Sequence, residues 1–98
     1  MAVAEFIGDA VSAAGYRLCG IETRVADHSN ALKLINRACD RAEMVLVSSS
    51  MLPYLRAAEL DELLARTRPP VLIVPDVRGL HDVPDIASRI NKQLGLLE

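Results

Sequence analysis

Aromatic side chains are almost missing from this chain. Its 98 residues include two Tyr, one Phe and no Trp, while 51% are hydrophobic, so a core must be assembled from Ala, Val, Leu and Ile. Side chains of that size suit thin layers of helix on sheet. Cysteine is nearly as scarce. Cys19 and Cys39 are the only two, without Cys-x-x-Cys spacing and each among apolar neighbours, and both are expected to be buried free thiols.

A concentration of charge of one sign is missing too. The eleven Lys and Arg are scattered and outnumbered by thirteen Asp and Glu, for a net charge of −2, which excludes the basic footprint that nucleic acid requires. Long apolar runs are absent: none approaches the ~18–20 residues that span a bilayer. With no basic segment and long apolar stretch ahead of the first strand, the sequence predicts no signal peptide and a cytoplasmic location. A chain of this length forms one domain that buries roughly 60–68% of its unfolded surface, enough for a single core.

What is present is organised around residues 3–25. A short apolar run at Val3–Ile7 stops at Gly8-Asp9, and a small-residue helical segment follows. Gly15 is placed to end that helix, and a second apolar run opens near Leu18, giving a strand at about Ile21–Val25. Two strands joined by a helical crossover lie parallel, and a parallel sheet needs helices on its faces.

The rest of the chain supplies them. Ser29 or Asn30 is placed to cap a helix from Ala31, in which Leu32, Leu34, Ile35, Ala38, Cys39 and Ala42 recur at helical spacing opposite Lys33, Asn36, Arg37, Asp40 and Arg41. Met44–Val47 reads as a central buried strand ending at Ser48-Ser49-Ser50. Pro53 suits a first helical turn, with room for a second short segment before Ala57, and Leu60, Leu63 and Leu64 mark a third helix that stops before Arg68-Pro69-Pro70. Val71–Val74 is a fourth strand, followed by a loop through Gly79. Pro84 opens a last helix whose stripe is Val83, Ile86, Ala87, Ile90, Leu94 and Leu97.

The expected fold is therefore a single Rossmann-like, receiver-like α/β domain. Right-handed crossovers predict four parallel strands in order 2-1-3-4, helices on both faces, a body over 1–76 and an amphipathic C-terminal helix over 83–98. In such a sheet a binding crevice lies beyond the carboxyl ends of strands one and three, at Gly8-Asp9 and Ser48–Ser50.

Tests for chemistry at that crevice find little. Gly-Asp-Ala-Val-Ser-Ala-Ala-Gly lacks the second and third glycines of the dinucleotide pattern G-x-G-x-x-G, and no G-x-x-x-x-G-K-[ST] occurs. A phospho-accepting receiver needs clustered acids to hold a divalent cation, including an Asp where this chain has Ser48. Asp9 reads either as the cap of the first helix or as part of a ligand site, and Ser48–Ser50 either as a strand-to-helix turn or as an anion site. The latter option in each pair defines an alternative function, a small receiver-like regulator binding a phosphate-containing ligand. His28 and His81 lie in polar loops with no metal spacing to Cys or carboxylates. No catalytic, cofactor or metal site is assigned. The apolar stripe of the last helix has two readings, cover for the sheet or a docking surface for a partner helix.

One stretch, Gly15-Tyr16-Arg17-Leu18-Cys19-Gly20-Ile21 after Ile7-Gly8-Asp9, resembles the Gly-Phe-Arg-Leu-Ala-Gly-Val segment of the small central-stalk subunit of the rotary V/A-type ATPases. The proline-framed strand Pro70-Val71-Leu72-Ile73-Val74-Pro75 and the Ile- and Arg-bearing terminal helix from Ile86 to Leu97 agree with that family over essentially the whole length. Ala10-Val11-Ser12 and Ser48–Ser50 depart from it, where members carry an acidic run and an Ile-Thr-Glu-like strand end.

The resemblance implies a non-catalytic rotor component. Its partners would be the coiled-coil protein of the stalk and the catalytic ATPase head, and it would meet the membrane only through the complex, coupling nucleotide hydrolysis or synthesis to ion movement. Carried over by position, the partner contacts are Ile86, Arg89, Ile90, Gln93 and Leu94, with the Gly15–Gly20 segment as a further candidate.

Overall fold

Alternation along one central strand decides which side of the sheet each helix takes. The computed structural model describes residues 2–77. In β1 (Ala2–Gly8) the neighbours Phe6 and Ile7 are both fully buried, as expected of a strand covered on both faces. Phe6 packs with Ala13 and Leu46, whereas Ile7 joins the larger cluster that holds Ile35, Val45, Val47 and Leu63.

The smaller cluster belongs to α1 (Ala10–Leu18). Asp9 caps this helix, accepting the Ser12 N–H at 3.0 Å, and Tyr16 stacks on Phe6 with ring centroids 4.3 Å apart. Gly15 does not end the helix; it lies inside it, and the terminus is Leu18. The reason is the backbone that a helix stop requires. Gly20 adopts φ +86°, its N–H reaches the Arg17 carbonyl and the Ile21 N–H reaches the Tyr16 carbonyl, the paired closure that favours a glycine just past the last turn. Leu18 is thereby helical and 91% exposed rather than the start of a strand. Cys19, expected to be buried, is exposed in the same turn, while Cys39 is buried as expected.

β2 (Glu22–Val25) is an edge strand paired with β1. The following loop is tied by Asp27, whose Oδ1 accepts from the N–H and hydroxyl of Ser29, and by Asn30, whose Oδ1 accepts from the Asp27 N–H. Asn30 stands at the cap of α2 (Ala31–Cys39) without a side-chain bond to the helix. Ala31, Ile35, Ala38 and Cys39 form its buried stripe. Ala42 falls at helical spacing but belongs to β3 (Ala42–Ser48), because ladder pairing with Ala2 takes over after the last helical turn closes on Arg37 and Ala38.

After β3 come a 3-10 helix (Ser49–Tyr54) containing Pro53, α3 (Ala57–Leu64) and β4 (Val71–Val74). The four strands are parallel in the order β2-β1-β3-β4. α2 and α3 share the face with the larger cluster, and α1 lies on the other. The α/β fold is thus the one read from the pattern. The predicted last helix, with Ile86, Arg89, Ile90, Gln93 and Leu94, lies outside the described residues, as does His81.

Candidate functional site at the carboxyl edge

The crossover order brings the ends of β1 and β3 side by side, and with them the two polar stretches singled out in the sequence. Gly8 makes the approach possible: a Cβ there would lie 2.6 Å from the Ser48 Cβ and 2.5 Å from the Phe6 ring. No larger residue fits without moving the strand.

Asp9 follows at the helix cap and its carboxylate is surrounded by donors. Oδ2 accepts the Ser12 N–H, and Oδ1 accepts the hydroxyls of Ser50 at 2.8 Å and Ser48 at 3.1 Å. The two hydroxyl oxygens are themselves 2.8 Å apart, and the Ser50 N–H donates to Ser48 Oγ. The Ser49 hydroxyl accepts the Asp76 N–H at 3.2 Å, and the buried Ser12 hydroxyl accepts the Val77 N–H at 3.1 Å. Both readings of the serine triplet therefore refer to one place, and its described geometry is that of a turn fastened to three strand ends.

The electrostatics follow from the bonds. Burial raises the Asp9 carboxyl, but the hydrogen bonds from Ser12, Ser50 and Ser48 outweigh it and hold the group at about 2. An aspartate so acidic is a weak proton acceptor at neutral pH, unsuited to activating a serine hydroxyl. His28 is exposed in the loop before α2 and meets the Tyr54 ring edge-on at 6.2 Å. Among the described residues no group of three or more His, Cys, Asp and Glu side chains is arranged to hold a metal ion.

A second charged group was not singled out in the sequence. Glu5 sits in the apolar run of β1 with its side chain 2% exposed, and Arg41 meets it through two bonds of 2.9 and 3.2 Å. The Arg24 guanidinium lies 3.5 Å away. The available signal was a lone acid in a strand buried on both faces, which demands a cationic partner. Which arginine answers that demand is a matter of tertiary geometry.

These features define a small doubly wound α/β domain whose crevice side chains are bonded to one another. The chain belongs to the family of the ATP synthase (F/14-kDa) subunit, whose model matches residues 5–92, the small-subunit family of the V/A-type ATPases that the sequence resembles. Comparison with curated proteins finds no match. The protein is accordingly an accessory component of a rotary ATPase, with partners inside that complex. No helix among the described residues is long and apolar enough to cross a membrane.

Proposed function

We propose that this protein is a non-catalytic central-stalk component that grips the coiled-coil protein of the stalk and couples or regulates ATP hydrolysis or synthesis in the head with ion transport. The family match over residues 5–92 carries this reading. The carboxyl edge supports it, because Asp9, Ser48 and Ser50 bond to one another where a ligand-binding member of this fold class would present them to a substrate. In this reading residues 1–76 form the body and 83–98 the docking helix, with Ile86, Arg89, Ile90, Gln93 and Leu94 as its contacts. The protein sits on the cytoplasmic side, held to the membrane through the complex.

Co-expression with the coiled-coil protein tests it. The full chain co-purifies with that partner, and Ile90→Asp weakens the complex at least tenfold while the thermal midpoint of the free protein stays within a few degrees. Failure of the unaltered chain to bind, or nucleotide turnover by the purified protein alone, overturns the proposal.

A further inference from the structure

Two fully buried hydroxyls hold the chain just past β4. Ser12 of α1 and Ser49 of the 3-10 helix are both 0% exposed, and burying a polar group is costly unless it is hydrogen-bonded. Each accepts an N–H from one of two successive residues, Ser49 from Asp76 at 3.2 Å and Ser12 from Val77 at 3.1 Å. The partners are 27 and 65 residues apart in the sequence, so these bonds belong to the tertiary structure and to no local turn.

One carboxylate sets both hydroxyls in place. Asp9 Oδ2 accepts the Ser12 N–H, and Oδ1 accepts the hydroxyls of Ser48 and Ser50, the residues on either side of Ser49. Asp9 thereby registers α1 against the turn after β3, and the two elements take hold of Asp76 and Val77 between them. Asp76 is 3% exposed, and Val77 lies with Cγ1 3.9 Å from where a Cβ on Gly15 would stand. β4 has only four residues and sits at the edge of the sheet, a place where a strand end frays readily. Here its continuation is pinned beside Gly15 of α1.

What the pin does follows from the sequence beyond it. Five residues, 78–82, separate Val77 from the stretch 83–98 proposed above as the docking helix, and a five-residue link reaches about 18 Å at most. A fixed origin confines where that helix begins, and an element confined before binding loses less freedom on docking. We infer that Ser12 and Ser49 are positioning residues for the docking helix: they fix the point at which it leaves the body and strengthen the grip on the coiled coil without touching it. This deepens the stalk reading and rests on it.

Two measurements on the full chain test the inference. Trypsin cuts after Arg78, the next residue, only when the pinned backbone before it comes free. Ser12→Ala and Ser49→Ala each speed that cut at least fivefold, while the cut after Arg41, at the start of β3, stays within twofold. Each variant also binds the coiled-coil protein at least threefold more weakly at a temperature where it is fully folded. An unchanged rate at Arg78, or equal acceleration at Arg78 and Arg41, overturns the pin, while Ile90→Asp still reports on the stalk reading. Faster cleavage at Arg78 with affinity within twofold leaves the two serines a structural role only and overturns their positioning one. If the unaltered chain does not bind the coiled coil, the positioning role falls with the stalk reading, and the cleavage rates still read the pin.

Discussion

The Asp9 carboxylate accepts the hydroxyl of Ser50, 41 residues further along the chain, at 2.8 Å. One side chain thereby caps α1 and fastens the end of β1 to the turn after β3. Asp9→Ala removes the cap, worth about 1 kcal/mol, and deprives two buried hydroxyls of their acceptor, worth about 1–2 kcal/mol more. Urea unfolding should show a loss of about 2–3 kcal/mol at neutral pH.

The same carboxylate gives the domain an acid dependence. Its value in the folded protein, about 2, lies below the roughly 3.9 of an unfolded Asp. The ionised form therefore favours folding above that unfolded value, and the contribution is lost as pH falls from ~4 through ~2. Asp9→Asn should show a shallower decline of stability across that window, measured by thermal unfolding at stepped pH.

Glu5 and Arg41 predict an asymmetry. Arg41 is 45% exposed on its side chain and Glu5 is 2% exposed, so removing the arginine strands a buried charge that Arg24 meets only at 3.5 Å. Arg41→Ala should lower stability clearly more than Glu5→Leu, which releases both arginines to solvent and should leave stability close to that of the unaltered protein. Equal losses for the two variants in denaturant titrations would contradict this account.

The two thiols should separate cleanly. Cys19 is exposed, while Cys39 is buried and its thiol is pushed up by burial, an effect that nearby Arg66 opposes. A thiol reagent at neutral pH should label one cysteine at once and the second only at the rate of unfolding. Cys19→Ser should abolish the fast phase alone.

Local pattern was enough for the architecture. Three of the apolar runs became β1, β3 and β4, while β2 formed from Glu22–Val25 beyond the run at Leu18, and the order is the one read from right-handed crossovers, because period and chirality act without regard to distant partners. Asp9 was legible as a cap for the same reason: a capping side chain bonds an N–H three residues away. The glycines were not resolved in that way. Gly15 and Gly20 are equally good helix stops as letters, and Gly20 is the one that turns the chain into β2 at φ +86°.

Packing chose the remainder. Ala42 left its helical spacing for a ladder position opposite Ala2, and Cys19 and Leu18 came to face outward because the helix that leads to them runs past Gly15. Nothing near Glu5 in the chain names Arg41, 36 residues away, and nothing near Asp9 names Ser50. Periodicity states which side of an element a residue occupies. Which two distant polar groups share a few cubic ångströms depends on strand register and helix placement, which exist only once the sheet has assembled.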